Sequence, residues 1–88
     1  MNKEIYNDPW SVYIAECRDK TLYVGVAKDA EQRMSDHNKT NKCRYTRSRK
    51  PIILVYYELC SDYAVARKRE AQIKKFSRKK KLELANRQ

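Results

Sequence analysis

Residues that favour β-strands form two short runs in the first third of the chain. SVYIAE (11–16) and TLYVGV (21–26) are separated by the four-residue turn CRDK. Two such runs joined by a short turn predict an antiparallel hairpin. A third run, IILVYYE (52–58), follows Pro51 and is apolar enough to predict the central strand of a small sheet.

Three other segments have helix-compatible composition, and each begins after a residue that commonly caps helices. In the first of them Ala30, Arg33, Met34 and His37 fall on one helical face. The polar segment 39–50 follows it and predicts a loop that carries six basic residues. The predicted helices are 30–38 after Asp29, 63–76 after Asp62 and 78–87 after Ser77.

The resulting element order, β-β-α-β-α-α, predicts an α+β domain with a small antiparallel or mixed sheet. With 88 residues the chain has room for one small hydrophobic core. We expect a flexible lead-in over residues 1–9, a single domain over 10–84 and a short tail over 85–88.

The chain shows no apolar run of 18 residues and no apolar signal segment near its N-terminus, which predicts a soluble, unprocessed protein. Its three cysteines, Cys17, Cys43 and Cys60, are far apart and form no CxxC pair. Together with a single histidine they predict neither a disulfide nor a zinc site. We therefore expect reduced thiols and a cytoplasmic location.

The charge of the chain gives the first indication of a partner. Twenty-one Lys and Arg residues against eleven Asp and Glu give a formal net charge of +10 and a pI near 9.7. Such a surplus on a small domain attracts polyanions, of which nucleic acid is the commonest. A membrane partner is not expected, because no strongly amphipathic basic helix with aromatic anchors is present.

Glu70 occupies an unusual position for a carboxylate. It shares a helical face with Tyr63, Ala66 and Ile73, the face that should contact the core. A carboxylate buried there needs a cation, hydrogen-bond donors or a metal ion. The alternative is a glutamate at the edge of this face, paired with a basic residue three or four positions away.

Four side chains near the hairpin and the first helix are suited to phosphate chemistry. The guanidinium of Arg33 matches a phosphate, and His37 can exchange a proton near neutral pH. Tyr13 and Tyr23 lie in facing strands, where they can pair across the sheet and where a phenol can act as acid, base or donor. Gly25, the single glycine of the chain, would leave a gap beside the Tyr23 hydroxyl that could admit a phosphate. Core packing and ordinary surface charge remain alternative explanations for each residue alone.

These residues, in this order, resemble the GIY-YIG nuclease superfamily, most closely its small stand-alone UPF0213 group. The two name-giving motifs appear here as SVY (11–13) and YVG (23–25). Arg33 and His37 follow at the positions where the family has an arginine and a His or Tyr, and Glu70 falls where the family has its metal-binding glutamate. The resemblance extends over roughly residues 10 to 84.

The resemblance implies a GIY-YIG fold, with a three-stranded antiparallel sheet flanked by helices, and metal-dependent cleavage of DNA phosphodiester bonds. By position, Tyr23 would help to deprotonate the attacking water, with Tyr13 beside it in the same pocket. Arg33 would bind the scissile phosphate and His37 would assist proton transfer. Glu70 would hold a single Mg²⁺ or Mn²⁺ ion.

The chain departs from the family pattern at two positions. Ser11 replaces the first glycine of the first motif, and Val26 stands where several members have a lysine. Small stand-alone members also lack extra DNA-binding domains, so we expect weak sequence preference. The residues expected to bind nucleic acid in addition to the catalytic set are Lys28, Lys42, Arg44, Arg47 and Lys74.

Two other functions remain open at this point. One is a non-catalytic nucleic-acid-binding module that retains the fold, and the other is an accessory protein whose cationic face binds an acidic partner. Glu70 favours catalysis over both, because a carboxylate among basic residues repels phosphate unless a metal ion lies between them.

Overall fold

The structure is a computed structural model that describes residues 9–40, 43, 44 and 46–86. Its elements follow the expected order and fall within two residues of most of the expected bounds. The strands are β1 (Trp10–Glu16), β2 (Leu22–Ala27) and β3 (Ile53–Cys60), and the helices are α1 (Ala30–Lys39), α2 (Tyr63–Lys74) and α3 (Arg78–Ala85).

Each helix begins at the cap that the sequence predicts. The Asp29 carboxylate accepts a hydrogen bond from the Gln32 backbone N–H at 3.0 Å, and the Asp62 carboxylate accepts one from Val65 at 2.9 Å. The Ser77 hydroxyl accepts one from the Lys80 N–H at 3.1 Å. These bonds satisfy N–H groups that have no partner within the first helical turn.

The sheet is antiparallel throughout, with the strand order β2-β1-β3. The central strand is therefore β1, and the expectation that the third strand would be central is wrong. β1 pairs with β2 along one edge and with β3 along the other, whereas β3 pairs on one edge only and leaves Ile53, Tyr57 and Leu59 between 45% and 70% exposed. An apolar composition alone does not distinguish these two situations.

The two faces of β1 contribute to separate hydrophobic clusters. Tyr13 and Ala15 pack on one face with Met34 of α1, and Val12 and Ile14 pack on the other face with residues of α2. This alternation follows from the period of two in a strand. It places α1 on one side of the sheet, with α2 and α3 on the other.

The segment between α1 and β3 contains turns and no regular element where the structure describes it, as the sequence predicts. One of its residues, Thr46, is only 1% exposed and lies beneath the C-terminal half of α1. No disulfide joins Cys17, Cys43 and Cys60. Within the described residues no helix has the length and apolar character required to span a bilayer.

Candidate active site

Gly25 lies directly opposite Tyr13 in the β1–β2 register. A Cβ atom at Gly25 would lie 2.6 Å from the Tyr13 Oη and 2.8 Å from its Cζ, closer than van der Waals contact allows. The Tyr13 ring, 1% exposed, therefore occupies the space over the glycine. The expectation of an open gap there for a phosphate is wrong, because a neighbouring aromatic ring fills it.

Tyr13 and Tyr23 form a diagonal pair across the hairpin, since the residue directly opposite Tyr23 is Ala15. Their ring centroids lie 6.2 Å apart, within the usual range for aromatic contacts. Burial raises the pKa of the Tyr23 hydroxyl above its ordinary value of 10, and its neighbours Tyr13 and Cys43 raise it further. Tyr23 is therefore a neutral phenol at physiological pH.

His37 connects the two tyrosines to the loop after α1. It is 4% exposed, its Nε2 lies 3.5 Å from the Tyr13 Oη, and its Nδ1 lies 3.0 Å from the Thr46 Oγ1. Its ring meets Tyr23 edge-on at a centroid distance of 5.5 Å. Burial lowers the pKa of His37 below 6.5, and the charge of Arg33 adds to this effect. The imidazole is therefore neutral at pH 7, with one nitrogen able to accept a proton.

Arg33 lies one turn before His37 on α1 and has an exposed side chain. Burial raises the pKa of the Tyr13 phenol, and the Arg33 guanidinium opposes this rise as a potential hydrogen-bond donor and through its charge. Arg33 and His37 line a common hollow of about 350 Å³ together with Cys43. An exposed cation thus lies beside two buried groups that can exchange protons.

Two residues of this site, Thr46 and Cys43, were not predicted. Thr46 contacts the inner nitrogen of His37, and the Cys43 thiol lies 4.0 Å from the Tyr23 hydroxyl. Both are in the basic loop, where the sequence pattern gives no indication of which polar residues fold inward. Only the position of the loop beneath α1 identifies them.

Glu70 lies at the edge of the buried face of α2. Ala66 and Ile73 on that face are fully buried, and the Glu70 side chain is 12% exposed. Its Oε1 is 3.0 Å from the Nε of Arg67 and its Oε2 is 3.2 Å from the Nζ of Lys74, so the paired arrangement that the sequence left open is present. The carboxylate is also near enough to Tyr13 to contribute to its raised pKa. Glu70 therefore influences Tyr13 through its charge, from a helix that packs on the other face of the sheet.

The additional basic residues fall into three groups. Lys28, Arg44 and Arg47 are exposed, and Lys28 lines the same groove as Arg33. Lys74 is paired with Glu70. Lys42 lies outside the described residues.

The carboxylate of Glu70 determines which metal ions could bind in this region. Within residues 9–40, 43–44 and 46–86 no three His, Cys, Asp or Glu side chains are grouped as a metal site. A single carboxylate suits Mg²⁺ or Mn²⁺, which retain several waters and take further oxygens from substrate phosphates. It does not suit zinc, whose sites use three or four protein ligands drawn from Cys, His, Asp and Glu.

The chain is similar to several proteins across most of its length. A UPF0213 protein of Staphylococcus saprophyticus is 47% identical over 77 residues, covering 88% of this chain and 94% of that protein. One from Haloquadratum walsbyi is 43% identical over 79 residues, covering 90% and 89%. The solution NMR structure of a UPF0213 protein from Bacillus halodurans matches with a TM-score of 0.56 and 33% identity, covering 89% of this chain and 83% of that one.

The model of the GIY-YIG catalytic domain matches residues 9–83. This range includes both tyrosine motifs, α1 with its arginine and histidine, and α2 with its glutamate. The three-stranded antiparallel sheet and its three helices agree with the fold that the resemblance implied. The chain therefore belongs to the GIY-YIG family and, within it, to the UPF0213 group.

Proposed function

We propose that the protein is a divalent-metal-dependent DNA endonuclease with weak sequence preference that acts on structured or damaged DNA. Membership of a family defined by a nuclease domain supports a nucleic-acid substrate. The observation that carries the proposal is the position of the Arg33 guanidinium, exposed beside the buried Tyr13–His37 pair. A phosphate at this guanidinium would lie next to groups that can move a proton.

In this assignment Arg33 binds the scissile phosphate and stabilises the negative charge that develops on it. A cation that is already in place before the reaction needs little reorganisation, which is why such groups contribute strongly to catalysis. The exposed side chain of Arg33 is accessible to DNA, whereas Tyr13 and His37 are almost completely covered.

The neutral imidazole of His37 is the best proton acceptor of the cluster. The pKa values of Tyr13 and Tyr23 are both raised, chiefly by burial, so their phenols stay protonated near pH 7 and act as hydrogen-bond donors. A proton leaving the attacking water would reach the His37 Nε2, 3.5 Å from the Tyr13 Oη, by way of the Tyr13 hydroxyl, which gives up its own proton as it receives the one from water and so stays neutral. The contact with Thr46 holds the imidazole in this orientation. This differs from the role of base that the resemblance implied for Tyr23.

Glu70 is the residue that would hold Mg²⁺ or Mn²⁺. When bound, the ion would supply positive charge at the phosphate and favour ionisation of a water. Arg67 and Lys74 occupy both Glu70 oxygens, and both are 58% exposed, so they can turn to DNA phosphates when Glu70 takes another partner.

A non-catalytic nucleic-acid-binding module is the second candidate function. The observation that favours it is the pairing of both Glu70 oxygens with cations, which removes the electrostatic reason for a metal ion. In this alternative Glu70 only stabilises α2, and the basic surface binds DNA.

The two candidates differ in a cleavage assay with supercoiled and branched DNA. The proposal predicts nicking in Mg²⁺ or Mn²⁺ that EDTA abolishes and that Arg33→Ala and Glu70→Ala both lose. Equal residual nicking by the wild type and Glu70→Ala would reject it. Salt-dependent binding without cleavage would support the binding module, because each phosphate that is neutralised releases counterions.

A further inference from the structure

A groove of about 520 Å³ extends from Arg33 to an aromatic pair at the start of β1 and α2. Its lining includes Arg33 and Gln32 of α1, Lys28 just after β2, and the aromatic residues Trp10 and Tyr63. Its volume lies within the range that is usual for small-ligand sites. Arg33, the residue expected to bind the scissile phosphate, therefore also lines this second cavity.

The far end of the groove offers aromatic surface to a ligand. Trp10 and Tyr63 meet edge to face, with their centroids 4.7 Å apart, and Tyr63 is 41% exposed. The Trp10 Nε1 is buried without a hydrogen-bond partner among the residues that the structure describes. A buried donor left in this state costs about 1–3 kcal/mol, so the position of the indole is not explained by core packing alone.

The acidic groups along the groove already have partners. The Asp29 carboxylate accepts the capping hydrogen bond at the start of α1. Asp36 accepts a hydrogen bond of 3.1 Å from the Gln32 side-chain amide. These hydrogen bonds leave both carboxylates charged, and among the lining side chains it is Arg33 that would hold a phosphate, while Trp10 and Tyr63 supply aromatic surface.

The aromatic end is also connected to Glu70 through α2. The Tyr63 hydroxyl accepts a hydrogen bond from Arg67 at 2.8 Å, and the same guanidinium pairs with Glu70 at 3.0 Å. These three residues follow one another along one side of the helix. The groove thus adjoins the candidate active site both at Arg33 and along α2.

We propose that this groove holds an unpaired nucleobase next to the phosphate bound by Arg33, with the base against the Trp10–Tyr63 pair. The inference rests on the proposed function and specifies its substrate as DNA with an unpaired nucleotide beside the cut. A base inside a duplex is stacked on both faces and cannot reach such a groove unless it is extruded. Aromatic side chains bind any exposed base, which agrees with weak sequence preference.

Trp10 provides a direct measurement of binding, because it is the single tryptophan of the chain. The full chain is titrated in EDTA with a single-stranded oligodeoxynucleotide and with the matching duplex, while tryptophan fluorescence is recorded. We expect saturable quenching by the single strand and little change with the duplex. A series of single strands with one abasic site should lose quenching when the missing base is the one in the groove.

Variants at Tyr63 separate stacking from charge. Tyr63→Leu should weaken single-strand binding by about five- to one-hundredfold, the effect of losing one stacked base, and leave duplex binding unchanged. Tyr63→Phe keeps the ring and loses the hydrogen bond from Arg67, so it should bind like the wild type. Tyr57→Leu, at a tyrosine of similar exposure outside the groove, is the matched control.

The outcomes distinguish this inference from the proposed function. Equal affinity for single and double strands, or an equal loss on both in Tyr63→Leu, overturns the base-binding groove even if the protein cleaves DNA. Quenching that depends on Tyr63, in a protein that cleaves no DNA, supports the groove and rejects the endonuclease.

Discussion

The Tyr13 ring lies over Gly25, so close that the glycine leaves no room for a side chain. This contact keeps the Tyr13 hydroxyl beside the Nε2 of His37. Because Gly25 has no side chain, the Tyr13 ring can occupy this position in the candidate site. The backbone angle of Gly25 is not involved, because the glycine does not have a positive φ.

Gly25→Ala should displace the Tyr13 ring and destabilise the fold by about 1–3 kcal/mol, the usual cost of overpacking. Denaturant unfolding measures the loss. The double variant Gly25→Ala with Tyr13→Leu should recover part of it, because the shorter side chain lacks the ring atoms that clash. Strictly additive losses would show that the two residues are not coupled.

Arg33→Ala should reduce cleavage by about 100- to 1,000-fold, as loss of a preorganised charge does. Its stability should change by less than about 0.5 kcal/mol, since the side chain is exposed. Lys39→Ala removes the same charge from an exposed position on the same helix and is the matched control. Equal effects of the two variants would indicate that only net charge matters.

Glu70 and Glu58 are two ion-paired carboxylates for which we predict opposite effects. Glu70→Gln should abolish the response to Mn²⁺ and cost about 0.2–1 kcal/mol for each ion pair lost, because both cationic partners are 58% exposed. Glu58 instead accepts two hydrogen bonds from Arg69, which join β3 to α2, and one from Tyr56 in its own strand. Glu58→Gln should therefore cost more stability, about 1.5–3 kcal/mol, while the folded fraction still cleaves.

This comparison requires both thermal unfolding and cleavage rates at several Mn²⁺ concentrations. Retention of metal-dependent cleavage by Glu70→Gln would exclude Glu70 as the metal ligand. A loss of cleavage in Glu58→Gln, measured under conditions in which it is fully folded, would assign a role in the reaction to the β3–α2 connection.

His37 should titrate below its ordinary pKa of 6.5, because burial and the charge of Arg33 disfavour the imidazolium. Its contribution to stability is then complete above about pH 6.5 and is lost as the pH falls through the lowered value. NMR titration can observe it without assignment ambiguity, since the chain has one histidine. In His37→Gln the pH dependence of unfolding in this window should disappear.

Cleavage should follow the same titration if neutral His37 accepts the proton. The rate should be highest above about pH 6.5 and fall as the pH drops through the lowered pKa of His37, parallel to the NMR curve. A rate that rises only above pH 9 would instead identify a tyrosine as the base, because the pKa values of Tyr13 and Tyr23 are both raised.

The sequence by itself determined the local structure and the family. Helix caps are short-range interactions between a side chain and N–H groups two or three residues later, so Asp29, Asp62 and Ser77 correctly located all three helix starts. The hairpin was also predictable from the sequence, because its two β-favouring runs are neighbours in the chain and are joined by a short turn. The family could be identified from the motif residues and their order, which can be read directly from the sequence.

Only the tertiary structure decided which strand is central, what fills the space over Gly25 and which loop residue contacts His37. Each of these depends on packing between segments distant in the chain. The apolar pattern of β3 is compatible with a central or an edge strand. It is β1 that pairs with both other strands, and α1 and α2 cover its two faces. The Trp10–Tyr63 groove likewise exists only where the first residues of β1 and α2 meet.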